Sequence, residues 1–113
     1  IFGSDTDASV LFAAKSNAQR AGVGDTIKFS QADFREVQYI NKAHLVTNPP
    51  YWKRLSDDNL DGLYDDLEQV FLSNSLTGGV ITTVENFPKN ETNWTKKNLM
   101  NGSEKCQFWR KLS

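Results

Sequence analysis

Residues 43–51, Ala43-His44-Leu45-Val46-Thr47-Asn48-Pro49-Pro50-Tyr51, run an apolar stretch directly into a side-chain amide, two prolines and an aromatic ring. A strand that ends this way offers an amide oxygen, backbone carbonyls held in a stiff turn and an aromatic face within four residues. Those parts suit the grip of a planar heterocycle carrying an NH2 group. Consecutive prolines fix φ and supply no backbone N–H, so the carbonyls around them are left to accept bonds from elsewhere. Alone, the tetrapeptide also reads as a rigid loop after a strand. Its surroundings decide between the two.

Upstream, Ile1-Phe2-Gly3-Ser4-Asp5 reads as the end of a buried strand, and its apolar start suggests that the chain begins inside a fold. Asp7 is placed to cap a helix over about residues 8–21, where Val10, Leu11, Ala14, Ala18 and Ala21 recur at helical spacing and Gly22 supplies the stop. Thr26 to Gln31 alternates apolar and polar residues as a short strand does, ending at Ala32-Asp33-Phe34. Downstream, Leu60, Leu63, Tyr64, Leu67, Val70 and Phe71 form the stripe of a second helix, started by Ser56 or the aspartates after it. Gly78-Gly79 reads as a break before a buried β-branched strand over residues 80–84. Residues 86–96 read as polar loop, and Asn101-Gly102 between Lys97–Met100 and Cys106–Trp109 as a hairpin signal. This order argues for an α/β fold, a mostly parallel sheet covered by helices.

At 113 residues the chain has the size of one domain, short for a complete nucleotide-binding α/β enzyme. Its 13 Lys+Arg against 14 Asp+Glu give no global signal of nucleic-acid affinity. The charges are uneven, however: Lys89, Lys96, Lys97, Lys105, Arg110 and Lys111 crowd the last quarter and six carboxylates the middle, as either a basic face or ordinary solvated faces. Cys106 is the only cysteine, which excludes an intrachain disulfide and a multi-cysteine zinc site and points to a reducing, cytoplasmic setting. The sequons at Asn90, Asn93 and Asn101 follow no signal peptide or membrane-spanning run and are read as chance.

In such a sheet ligands sit at the carboxyl ends of the strands. Asp5 closes the first, where a carboxylate can take two hydrogen bonds from ribose hydroxyls. Asp33 and Phe34 close the second, where a carboxylate or amide can meet an adenine edge and a ring can pack on its face. Asn48 to Tyr51 closes the third. Singly, Asp5 reads as a helix-cap neighbour and Phe34 as core; at successive strand ends they favour a nucleoside site.

Gly3-Ser4-Asp5-Thr6-Asp7, Ala14 to Val23, Gln31-Ala32-Asp33-Phe34 and Val46 to Tyr51 follow one another in the pattern of a known family. The pattern continues through Arg54-Leu55, Leu63 to Leu67 and Leu99 to Cys106, covering nearly the whole chain. It resembles the RNA methylase family of class I S-adenosylmethionine-dependent methyltransferases, which includes the large-subunit ribosomal RNA guanine-N2 methyltransferases and often carries an RNA-binding THUMP domain. The resemblance implies a Rossmann-like sheet with helices on both faces and a C-terminal antiparallel hairpin. It implies that Asp5 binds the ribose of S-adenosylmethionine and that Asp33 with Phe34 binds its adenine. Asn48 and the Pro49 carbonyl would accept the two protons of the target NH2, with Pro50 completing the motif and Tyr51 stacking on a flipped base. An exocyclic amine shares its lone pair with the ring and attacks poorly until hydrogen bonds pull it toward tetrahedral geometry; the sulfonium methyl is already activated, so positioning and electrostatics carry most of the catalysis. No metal is implied.

The chain departs from the family in three places. Trp52 follows Tyr51 where the family has Gly, and Met100 replaces a Tyr before Asn101-Gly102. The glycines stand only at 3, 22, 24, 62, 78, 79 and 102, so the glycine-rich cofactor loop and the first strand before it are lacking. Residues 1–113 therefore read as a partial methyltransferase domain, its carboxyl-terminal part. The implied function is methylation of an exocyclic base amine, guanine N2 in ribosomal RNA foremost. The alternatives are an N6-adenine DNA methyltransferase and a noncatalytic remnant that binds RNA or protein. With the first strand lacking, the strands ending at Asp5 and Asn48 are expected to present open edges, with Ile1, Phe2, Leu45 and Val46 poorly covered. The sheet would rearrange to close them, or they would pair with a second copy or with the lacking N-terminal part.

Overall fold

The computed structural model describes residues 1–50 and 57–113 and, in the second stretch, side chains from Leu60 onward. The described residues form an α/β fold of two compact units, Ile1–Gln38 and Tyr39–Ser113.

In the first unit, β1 (Phe2–Asp5) leads into α1 (Ala8–Arg20) and then β2 (Lys28–Gln31). Helix α1 starts where Asp7 Oδ1 accepts the backbone N–H groups of Ser9 and Val10, at 2.8 and 3.4 Å, satisfying donors that the first turn leaves open. It stops at Gly22, whose φ of 77° lets the Val23 N–H turn back to the Ala18 carbonyl at 2.9 Å. Of the expected apolar stripe only Leu11 and Ala18 are buried. Strand β2 starts two residues later than the alternation suggests, because the Thr26 N–H closes a turn onto the Val23 carbonyl. Strands β1 and β2 are parallel, from Phe2 opposite Lys28 to Asp5 opposite Gln31.

The second unit holds β3 (His44–Thr47), α2 (Asp57–Ser73), β4 (Thr77–Thr82), β5 (Trp94–Asn101) and β6 (Glu104–Lys111). Its sheet runs β3-β4-β6-β5, with β3 and β4 parallel and β6 antiparallel to both neighbours. Helix α2 buries Tyr64, Leu67, Glu68 and Phe71. Phe71 meets Trp94 edge-on at 5.1 Å, Trp94 meets Phe87 at 5.3 Å, and Phe87 meets Tyr64 at 5.4 Å. Each such pair contributes about 0.5–1.5 kcal/mol beyond its buried area. Buried Glu68 accepts the backbone N–H groups of Lys89 and Asn90, at 2.8 and 3.1 Å, and so ties the segment after Phe87 to the helix.

Two expectations need correction. Gly78-Gly79 does not break the chain; both glycines lie inside β4. Gly78 has a φ of 137°, and a Cβ there would collide with the Leu45 carbonyl, while one on Gly79 would enter the Phe108 ring. They mark close approach rather than a turn. Nor are residues 86–96 a solvated loop throughout. Phe87 is a core residue and β5 begins at Trp94, because the two rings complete the cluster on α2. The hairpin is as expected, with β5 and β6 pairing well beyond Gly102, from Asn101 opposite Glu104 to Trp94 opposite Lys111.

Among the described residues, β1 has β2 on one side only and β3 has β4 on one side only. The pairing is not rearranged to close these edges. Ile1, Phe2 and Val46 are exposed, as the open edges led us to expect, and Leu45 is partly covered.

Candidate active site

At the carboxyl edge of the first unit, the register Asp5 opposite Gln31 brings Asp5 and the Asp33-Phe34 pair to one end of the two-stranded sheet. The Ala32 N–H donates to the Asp5 carbonyl at 3.0 Å, and the Gln31 amide to the Thr6 carbonyl at 3.0 Å. Asp5 Oδ1 accepts the Asp7 N–H at 2.8 Å, while Oδ2 has no partner among the described residues. Asp33 holds Arg35: Oδ1 accepts its backbone N–H at 2.9 Å and Oδ2 its guanidinium at 3.0 Å. That guanidinium lies 5.0 Å from the centre of the Phe34 ring, a cation–π distance. Arg35 thus covers one ring face, and a carboxylate with about four lone-pair sites keeps room for a further donor.

In the second unit, Asn48 and Pro49 follow the last residue of β3, with Asn48 exposed and Pro49 buried. Neither the Asn48 side chain nor the Pro49 carbonyl has a hydrogen-bond partner among the described residues. The Pro50 carbonyl does: it accepts the Tyr64 hydroxyl at 3.3 Å. The Tyr64 oxygen lies 2.7 Å from Thr82 Oγ1, which accepts the Val84 N–H at 3.0 Å. So the prolines do not leave every neighbouring carbonyl to an outside donor. Tyr51 lies outside the described residues.

An open cavity of about 470 Å³ borders Tyr64, with Asp61, Asp65, Glu85 and Lys89 on its wall. Lys89 Nζ sits 2.7 Å from Asp65, whose carboxylate, with help from Asp61 and Glu68, holds the ammonium pKa above the usual lysine value. Among the described residues no cluster of histidine, cysteine or carboxylate side chains could hold a metal ion, and no helix is long and apolar enough to cross a membrane.

Sequence reasoning missed Arg35, Tyr64 and Thr82. Tyr64 stands in the α2 stripe and in the family pattern with no role of its own, yet a buried tyrosine must place its hydroxyl. Thr82, fully buried among Val80 and Ile81, carried the same signal.

Known methyltransferases resemble the chain along nearly its whole length. Residues 1–109 match the family described as RMKL-like, methyltransferase domain. The chain belongs to this family. A relative named "Putative RNA methyltransferase YpsC", from Bacillus subtilis, is 32% identical over 99% of this chain and 31% of its own length. Ribosomal RNA large subunit methyltransferase K/L from Psychromonas ingrahamii is 44% identical over 48% of this chain and 8% of its own. The chain therefore spans about a third or less of these relatives. Among solved structures, SMU.472, described as "a putative methyltransferase complexed with SAH", superposes with a TM-score of 0.85, at 28% identity, over 98% of this chain and 31% of that one. A predicted N6-adenine-specific DNA methylase from Listeria monocytogenes does so with a TM-score of 0.78, at 28% identity, over 99% and 30%.

Proposed function

We propose that the chain is the carboxyl-terminal part of an S-adenosylmethionine-dependent methyltransferase that modifies an exocyclic amine of an RNA base, with guanine N2 of ribosomal RNA as the substrate. The observation that carries this reading is the end of β3. The Pro50 carbonyl accepts from Tyr64, while the exposed Asn48 side chain and the Pro49 carbonyl have no partner among the described residues and would be the two acceptors that an NH2 group needs. Family membership supplies the reaction class, and the ribosomal relatives support RNA as substrate.

The cofactor would bring an activated methyl group. The residues present suit part of it. Asp5 Oδ2 has no partner among the described residues and would take ribose hydroxyls, and Asp33 with the Phe34 ring would meet an adenine. The 113 residues carry no glycine-rich loop for the methionine portion. Asn48 and the Pro49 carbonyl would draw the amine toward tetrahedral geometry as it attacks, and Tyr51 would stack on the base. The free edges of β1 and β3 are where a further strand or a second copy would add.

Asn48→Ala in the complete enzyme tests this. Turnover should fall about 10²–10³-fold, the effect of removing one group that acts in the transition state, while cofactor affinity stays unchanged. Asp5→Ala should weaken cofactor binding first. Lost cofactor affinity in the Asn48 variant, with turnover preserved at saturation, reverses the assignment. A second reading, transfer to adenine N6 in DNA, is favoured by the Listeria neighbour and is decided by offering both polymers and identifying the methylated nucleoside.

A further inference from the structure

The hydroxyls of Tyr64 and Thr82 lie between the Pro50 carbonyl and the Val84 N–H, and one proton order makes all three bonds at once. In that order the Tyr64 hydroxyl donates to the Pro50 oxygen, which can only accept. The Tyr64 oxygen is then open to the Thr82 hydroxyl, 2.7 Å away, and Thr82 Oγ1 takes the Val84 N–H. Each hydroxyl donates once and accepts once in this arrangement. The sequence of bonds runs Val84 N–H to Thr82 to Tyr64 to the Pro50 carbonyl, joining the backbone after β4 to the backbone after β3. Tyr64 is 3% exposed and Thr82 0%, so the bond between the two hydroxyls is buried, and each link polarises the next.

From this geometry we propose that Tyr64 and Thr82 are positioning residues for methyl transfer, acting through the Asn48-Pro49-Pro50 turn rather than on substrate. The inference rests on the amine-methylation reading above. The rings of Pro49 and Pro50 lock both φ angles. The Tyr64 bond restrains the remaining rotation at Pro50 and occupies its carbonyl. The Pro49 carbonyl, one peptide earlier, is then the backbone acceptor left for the target amine. Without the hydroxyl, the Pro50 carbonyl is free to turn and to compete for the same proton. A misplaced acceptor costs rate because the amine must be held in line with the methyl group as it attacks.

Tyr64→Phe, Thr82→Val and Thr82→Ser in the complete enzyme test this. Phe keeps the ring that meets Phe87 edge-on, and Ser keeps the hydroxyl. The readouts are methyl incorporation from labelled S-adenosylmethionine into an unmodified ribosomal RNA transcript, cofactor affinity by calorimetry, and the carbon-13 shift of the Pro50 carbonyl. Tyr64→Phe should lower kcat about ten- to a hundredfold, the scale of a misplacement of about 1 Å, with KM for RNA and cofactor affinity unchanged and the Pro50 shift moved. Thr82→Val should do the same more weakly, and Thr82→Ser should restore both. An unmoved shift in Tyr64→Phe overturns the inference, and so does a moved shift with wild-type kcat. If wild-type enzyme transfers no methyl group to either nucleic acid, the amine-methylation reading fails and the inference with it; the carbonyl shift then still tells whether Tyr64 holds Pro50.

Discussion

The two units differ in how much they enclose. Tyr39–Ser113 closes Leu67, Phe71, Leu76 and Phe87 almost completely away from solvent, whereas Ile1–Gln38 buries only Leu11 and Ala18 and leaves Phe2 73% and Phe12 77% exposed. Two four-residue strands with one helix are near the lower limit of independent stability. A ring cluster packed under a 17-residue helix is well above it. The candidate contacts divide along the same line: the proposed cofactor carboxylates stand on the thin unit, the proposed amine acceptors on the well-packed one. In a methyl transfer, tight positioning is needed where the amine is held during attack, and the proposed acceptors stand on the unit that has the enclosed core.

The largest effect that would break or sharpen this contrast is a cavity in each unit. Phe71→Ala should destabilise the second unit by about 3–5 kcal/mol, the usual cost of deleting a buried phenyl ring. Leu11→Ala in the first unit should cost about 2 kcal/mol, the low end for leucine, because so shallow a site can collapse. The first unit has no tryptophan, and Trp94 and Trp109 lie in the second, so tryptophan fluorescence does not report unfolding of the first. In denaturant titrations the fluorescence midpoint should fall in Phe71→Ala and stay in place in Leu11→Ala, whose loss appears in amide exchange of α1. A fluorescence midpoint shifted equally by both variants would show that the units unfold as one.

The same contrast shows which features are legible in sequence. Asp7 as a cap, Gly22 as a stop, the Asn101-Gly102 hairpin and the strand before Asn48 are local statements, and local chemistry carries them. The misread features are tertiary. Gly78 and Gly79 look like a chain break until Leu45 and Phe108 press against them, and Phe87 and Trp94 look like loop residues until α2 offers them a face. The Asn-Pro-Pro motif and the strand-end carboxylates were legible because such chemistry is written in a few adjacent residues. The Tyr64–Thr82 link was not, because it joins three elements through hydroxyls that a hydrophobic pattern ignores.

A middle-sized effect concerns the cofactor. The 113-residue chain keeps the proposed ribose and adenine contacts, on its less enclosed unit, and has no glycine-rich loop. It should bind S-adenosylmethionine weakly, with a Kd above about 0.1 mM, or not at all; that limit corresponds to roughly −5.5 kcal/mol. Calorimetric titration of the purified chain measures this. Micromolar affinity would mean that the thin unit is organised enough to hold the cofactor without such a loop.

The smallest effect is a pH dependence confined to the first unit. The Ser9 hydroxyl, and then the backbone N–H groups of Ser9 and Val10, all donate to the Asp7 carboxylate and hold its pKa below the usual aspartate value. A group whose pKa is lower in the folded state stabilises it above the unfolded value, and the contribution is lost as pH falls through the folded value. The cap should therefore support α1 in full above the ordinary aspartate pKa of about 3.9 and weaken progressively below it. Asp7→Asn keeps a capping side chain but cannot titrate, so protection of the α1 amides, corrected for intrinsic exchange, should lose this part of its acid dependence. Because α1 buries little, its cap contributes a large share of what keeps the helix formed. An identical acid slope in wild type and Asp7→Asn would mean that burial of Leu11 and Ala18, rather than the cap, sets the stability of the first unit.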